Sequence, residues 1–347
     1  MSPAGITAAA GAGVEEPGVA ATSQRVMVMR RLRHDPVAIV SGALLLIILL
    51  GVFVGAPVAE HLVGHGPDDI FLGSIDNNGV PAGPLTWVPN HDQAYQHFDG
   101  TTLFLLGADG YVGRDELMRL LYGGQASIEV ALGATLVAML VGVTAGALAG
   151  YFGGLVDGLV LRLIDFVMAF PIILLAIALG SNATGWLGSL TMGGLLRPGV
   201  PGLAVFIGLA TWFYPARIVR VQVMALREQE FVEGARMVGA SHRRILLSHL
   251  LPHLTGPLVV YGTVVFATNV ILEASISLLG VGIQLPNPSW GNMLATNFGT
   301  LINPTSNTIL VPRIWTAIFP TVAILVTLVA TVTLGEQVRR ALDPRGR

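Results

Sequence analysis

The sequence predicts an all-α polytopic membrane protein with six transmembrane helices, and three observations carry that prediction. Of the 347 residues, 53% are hydrophobic and only 12% are charged, with a mean hydropathy of +0.70. A soluble domain carries about a quarter charged residues, so most of this chain faces lipid or buried helix. Six apolar runs approach the roughly 20 residues that a helix needs to cross the hydrocarbon core. The arginines, finally, fall in patches between those runs in a way that fits one orientation and rejects its inverse.

Composition also removes several chemistries. There is no cysteine, hence no disulfide framework, no Cys-ligated zinc and no thiol nucleophile. All 19 basic residues are Arg. A Walker A loop needs its Lys to hold phosphates, and a Schiff-base enzyme needs a Lys amine. This chain cannot itself be a P-loop ATPase.

Taken in order, residues 1–35 form an N-terminal tail. Its Ala/Gly-rich first 24 residues read as disordered, and Arg25, Arg30, Arg31 and Arg33 follow. The first span occupies 36–57, its uncharged run being Val37 to Ala56. That run is too long for the apolar core of a signal peptide. Residues 58–125 are a polar insertion carrying His61, His65, His91 and His97 beside Asp68, Asp69, Asp92 and Asp99. His61 and His65 have the spacing of two metal ligands on one helix face. Gly64, Gly66 and Pro67 oppose a helix there and the other spacings are irregular, so no metal site is expected. At the end of the insertion, Leu117, Leu120 and Leu121 share a side, which predicts a helix lying on the membrane surface.

The core, 126–337, holds five more spans. Val130 to Phe152 carries Gly142, Gly146 and Gly150 at spacings of four, where small residues let membrane helices approach closely. Leu159 to Leu179 contains Pro171, which should kink it. Residues 180–199 read as a loop, and Val200 to Ala216 is a short span ending at Pro215 and Arg217. Leu254 to Leu279 and Ile314 to Leu334 complete the set, before a C-terminal tail over 338–347.

Between the fourth and fifth spans, 228–253 is charged and interrupted. Glu230, Glu233 and Arg236 make a polar stripe on a short helix, and Phe231, Ala235 and Val238 an apolar one. Gly239 is the natural stop, since glycine takes the left-handed conformation without steric cost. Ser241 can cap a second helix running through Ile245 and Leu246 to Pro252. An amphipathic helix trapped between spans either lies on the bilayer or is a handle for a soluble partner.

In the fifth span, Asn269, Glu273 and Ser277 follow at i, i+4 and i+8. An ionisable residue inside a span is costly and faces a cavity or a partner helix. These three residues therefore border a translocation path or a seam with a sister subunit, unless packing within their own bundle satisfies them. With the N-terminus inside, all the arginines except Arg114, Arg119, Arg197 and Arg313 fall on the cytoplasmic side or at its boundary. Both termini and the 228–253 loop are then cytoplasmic.

The loop also resembles a known pattern. Glu233-Gly234-Ala235, then Gly239, then Leu251-Pro252 is similar to the EAA loop of bacterial ABC importer permeases, with Gly234 in place of an Ala and His249 in place of an Ile. That His, with Leu-Pro two residues on, resembles the dipeptide, oligopeptide or nickel branch. Gly107, Asp109, Gly113, Arg114, Asp115, Leu117, Arg119, Leu120, Tyr122 and Gly123 match a second segment of that branch, with Ala108 and one extra residue departing from it. The stretch LEASISLLGVGIQLPNPSWGNML and the ending Ala341 to Arg345 match further segments. Together these cover roughly Arg30 to Arg345.

The resemblance implies a type I ABC importer permease fold in a bacterial inner membrane. It implies a homologous second permease, two cytoplasmic ABC ATPase subunits and an extracytoplasmic solute-binding protein, with lipid around the spans and no nucleic acid. Glu230, Phe231, Glu233, Gly234, Ala235, Arg236, Val238, Gly239, Ala240 and Ser241 would form the coupling helix and its turn. The chain would bind no cofactor and catalyse nothing, ATP and Mg belonging to the partner subunits. Di- or oligopeptides are the expected solutes, with nickel or another small solute as the alternative. An ion-coupled secondary transporter or channel is a different class. It would want several charges deep in the spans and inverted repeats, and Glu273 alone stands out. A membrane enzyme would want a His, Ser and acid constellation at one level, whereas the histidines cluster in loops.

Overall fold

A computed structural model describes residues 28–77, 80–89, 100–109, 112–178, 198–302 and 314–342, with side chains placed up to 297 in the helix that ends at 302. Helix α1, Pro36–Val63, starts where the Asp35 carboxylate accepts from Val37 N and Ala38 N, and Pro36 occupies a first-turn position that needs no N–H. It does not stop at the expected 56–57. A π turn over Gly51–Gly55 carries it past Pro57, and Gly64, at φ +81°, ends it.

The insertion has more structure than its composition suggests. Strand β1 (Thr86–Pro89) pairs antiparallel with β2 (Thr101–Phe104), and β3 (Ala108–Asp109) with β4 (Arg114–Asp115). Phe71, Val88, Phe104 and Ala108 bury a small core beneath them. The expected surface helix is not a separate element. Asp115 caps a single 37-residue helix, α2, running Glu116–Phe152, so the insertion ends at 115 and not at 125. Gly123 and Gly124 do not break this helix because they are contact points: a Cβ on Gly123 would crowd Ser289, and one on Gly124 would strike Trp290 and Val52.

The next two spans are bent pairs. Helices α3 (Gly154–Met168) and α4 (Ile172–Ala178) meet at 69° across a break that contains Pro171, the kink that the proline predicts. Helices α5 (Val200–Thr211) and α6 (Phe213–Leu226) meet at 44°. The fourth span therefore runs past its expected end, because Pro215 lies in the first turn of α6, where N–H groups have no helical partner to lose. The short helix α7 covers Glu230–Met237. Helix α8, His242–Leu278, is continuous. Pro252 does not end it, because a π turn over Ile245–Leu250 widens the backbone just before Leu251 and Pro252 open its regular part. Helices α9 (Trp290–Ile302), which the sequence reading left unassigned, and α10 (Ile314–Leu342) complete the fold. Among the described residues, four helices are long and apolar enough to cross a membrane, and counting each bent pair as one span brings six.

The glycine stripe of α2 is the contact with α6. A Cβ at Gly142 would meet Trp212 O and the Pro215 ring, one at Gly146 Ala216 O, and one at Gly150 Arg220 O. The opposing atoms are largely backbone, so the two helices touch main chain to side-chain-free main chain. Leu46, Ile47, Leu136, Leu140, Leu155 and Leu159 stand exposed on the outside of the bundle, as lipid-facing residues would. The insertion caps one end of α2. About 55 Å away along the helix lie α7 and the start of α8. The segment before α1 meets the last turn of α10, Arg31 Nη1 donating to Ala341 O at 3.4 Å.

Candidate coupling loop and buried polar centres

Helix α7 is a short amphipathic helix with a firm stop. Glu230, Glu233 and Arg236 lie on its exposed side, as the spacing predicts. The buried side is not the expected Phe231, Ala235, Val238 stripe but Val232 and Ala235. Phe231 is 40% exposed and rests on the His253 ring, with centroids 5.1 Å apart. Val238 lies just past the helix end at Met237, so it has left the helical phase, and both residues are more than four-fifths exposed.

The stop itself is a Schellman turn. Gly239 takes φ +79°, its N–H donates to Arg236 O at 2.9 Å, and Ala240 N–H donates to Ala235 O at 3.0 Å. Ser241 Oγ then accepts from Arg244 N at 3.4 Å and starts α8. Gly234 has open space beside it, so its lack of a side chain is not dictated by packing inside the chain. Val232 and Ala235 pack with Val219 and Val223 of α6, Ala147 and Tyr151 of α2, and Ile245, Leu246, Leu250 and Leu254 of α8. A small core thus ties the loop to three long helices and leaves an apolar tip, Met237 and Val238, protruding beside a charged face.

Asn269, Glu273 and Ser277 share one face of α8, as their spacing requires, and all three are buried, Glu273 completely. They meet this chain's own elements. Asn269 Nδ2 donates to Thr135 Oγ1 on α2 at 3.1 Å, and Ser277 Oγ donates to Glu273 Oε1 at 2.8 Å. Ser127 of α2 and Ser289 face the same carboxylate, while among the described residues Glu273 Oε2 has no partner within close hydrogen-bond range. Trp290 N donates to Ser127 Oγ at 3.1 Å, and Asn292 Oδ1 accepts from Ser289 N at 2.9 Å. The centre therefore fastens the turn between α8 and α9 onto α2.

A second polar centre lies at the end of α2 that carries the insertion. Arg119, fully buried, sets Nε 2.6 Å from Asp109 Oδ2, and Nη1 3.3 Å from Asp68 Oδ1. The same Nη1 donates to Pro67 O and Pro286 O, each at 3.4 Å. Arg114 pairs with Asp109 at 3.4 Å, and His65 Nε2 with Asp115 Oδ2 at 3.0 Å. Asp109, Arg114, Asp115 and Arg119, four of the residues that match the second family segment, thus clamp the insertion to α2 and to the α8–α9 turn. His65 is engaged here and not with His61. Among the described residues, no three His, Asp or Glu side chains stand close enough to hold a metal ion. His91 and His97 lie outside the described residues.

A bundle of four to six candidate spans with a helix, turn and helix at one end is the architecture of a polytopic membrane protein. The chain belongs to the family of binding-protein-dependent transport system inner membrane components, which it matches over residues 142–347. Residues 23–79 match the N-terminal transmembrane domain of oligopeptide transport permease C. A glutathione transport system permease protein of Salmonella typhimurium (strain LT2) is 35% identical over 317 residues, covering 91% of this chain and 89% of that protein. A glutathione transport system permease protein of Escherichia coli O1:K1 is 34% identical over 75% of this chain and 80% of its own. A candidate peptide transport system permease protein of Brucella suis is 35% identical over 70% and 73%. The family is the one that the EAA-like loop resembles.

Proposed function

We propose that this chain is one of two homologous permease subunits of an ATP-driven importer of short peptides. The observation that carries the reading is the loop at 228–253: a helix ended by a Schellman turn at Gly239, anchored in a core shared with α2, α6 and α8, with a free apolar tip. A fixed handle of this kind suits a soluble ATPase partner. It belongs on the cytoplasmic side, together with both termini, and the arginine distribution supports that orientation. Glu230, Phe231, Glu233, Gly234, Ala235, Arg236, Val238, Gly239, Ala240 and Ser241 are the residues assigned to docking.

The chain itself binds no nucleotide in this reading. ATP and Mg sit on two partner ATPases whose closure draws the two coupling loops together. The spans then reopen outward, a binding protein delivers solute to the outer mouth, and hydrolysis resets the cavity inward. Peptide as the solute rests on the names of the relatives, glutathione being itself a tripeptide.

Pull-down from mild-detergent extracts tests the machinery. Wild-type chain brings P-loop ATPase subunits with it, and the double variant Glu233→Ala/Gly239→Asp loses them. Uptake of radiolabelled glutathione and trialanine by cells carrying the complete transporter tests the solute class. A wild-type chain that purifies alone, with uptake surviving ATP depletion, would overturn the ATP-driven reading; uptake of neither peptide would overturn the solute.

A further inference from the structure

We propose that Tyr151 and His242 form a latch that makes the coupling loop and α2 move as one body, so both are positioning residues for coupling. The inference rests on the coupling role proposed above for 228–253.

The apolar contacts of Val232 and Ala235 with α2 and α6 hold the loop in place but are non-directional. A hydrogen bond supplies direction, because it weakens steeply as its angle departs from linear. Tyr151 Oη and His242 Nδ1 share one at 2.8 Å. His242 is the first residue of α8, immediately after the Ser241 cap, so it reports the position of the loop's second arm.

Aromatic and cationic groups complete the joint. The His242 ring stands edge-on to Tyr151, 5.6 Å between centroids, and tilted against Phe152 at 5.8 Å. Arg236, on α7, lies 5.9 Å over the Tyr151 ring. Both arms of the loop therefore meet one tyrosine.

That tyrosine is itself held. Arg227 Nη1, at the end of α6, donates to Gly150 O at 3.0 Å and to Tyr151 O at 3.3 Å. These are carbonyls of the last turn of α2, which lack helical donors. At its other end α2 is gripped by the Arg119 centre beneath the insertion. A displacement of the loop is in this way passed to a helix whose far end carries the extracytoplasmic structure. None of these residues is among those assigned to docking except Arg236.

The absence of cysteine makes the test direct. Leu132→Cys on α2 and Arg243→Cys beside the latch are both exposed positions, and spin labels there read the α2-to-loop distance in full-length protein in nanodiscs. Measurements are made on the chain alone and in complex with its ATPases, before and after trapping with ATP and vanadate. The latch predicts one narrow distance that keeps its value and width in every state. His242→Ala and Tyr151→Phe, which spares the ring but removes the hydroxyl, each lose the single peak and gain a second, longer population. His242→Asn, whose side-chain oxygen can stand near the place of Nδ1, restores it. Unchanged distributions in His242→Ala, or a change in His242→Ala that Tyr151→Phe does not share, would overturn the latch. The measurement on the chain alone needs no ATPase, so failure of the docking reading, seen as a wild-type chain without ATPases, is a separate result.

Discussion

Glu273 is the residue whose role the sequence left most open, and it is buried within this chain. It is enclosed by α2 and the α8–α9 turn, with Ser277 donating to one oxygen and two further serines facing it. Glu273→Gln keeps both the shape and an acceptor for Ser277, so folding and assembly should stay at wild-type level. Glu273→Leu removes the acceptor from a buried hydroxyl, which costs about 1–3 kcal/mol, read as a lower midpoint in denaturant titration of the micelle-bound protein. Equal midpoints for the two variants would remove the carboxylate from any fastening role. Arg119 shows the same logic with charges. Its guanidinium is buried with Asp109 and joins three separate segments, a knot that holds together because each charge has an opposite beside it.

Helix α2 is the element that the others are built around. Its glycine face admits α6, its serine and threonine hydroxyls meet α8 and α9, and its two ends carry the insertion and the 228–253 loop. The close approach sets a sharp expectation. Gly146→Leu places a Cβ against Ala216 O, and backbone cannot move aside as a side chain can, so overpacking costs about 1–3 kcal/mol or more. Fluorescence-detected gel filtration should show loss of the monodisperse peak. Leu136→Ala, one exposed position on the same helix, should leave the peak unchanged. The bent and widened elements were only partly legible. Pro171 announced the α3–α4 bend, whereas Pro215 and Pro252 suggested ends that do not occur, and α1 runs on past Pro57. A proline ends a helix only if its missing N–H and its ring clash are left uncompensated. First-turn placement removes that cost for Pro215, and π turns precede the other two.

Across the whole molecule, the 228–253 loop and the insertion lie at opposite ends of α2, a helix long enough to cross a membrane, so the orientation proposed above expects them on opposite sides. The cysteine-free chain lets this be checked residue by residue. Val238→Cys in inside-out vesicles should react with a membrane-impermeant maleimide and be protected in right-side-out ones; Leu85→Cys, exposed on the insertion, should show the reverse. The same pattern with the sides exchanged would invert the topology.

The sequence alone determined the class: hydropathy marks the candidate spans, because a bilayer tolerates only helices or closed barrels, the 228–253 loop resembles the EAA pattern of importer permeases, and its Gly239 stop follows from local backbone geometry. The glycine face of α2 was readable for the same reason, since small residues at spacings of four line one side of a helix. Only the tertiary structure decided that the supposed surface helix is the first turns of α2, that Val232 and not Val238 is buried, and that Glu273 faces its own bundle. It alone brought Tyr151 to His242 and Arg119 to Pro286. Those partners are 91 and 167 residues apart in the chain, and a one-dimensional pattern reports neighbours three or four residues away but not which distant helix will cover them.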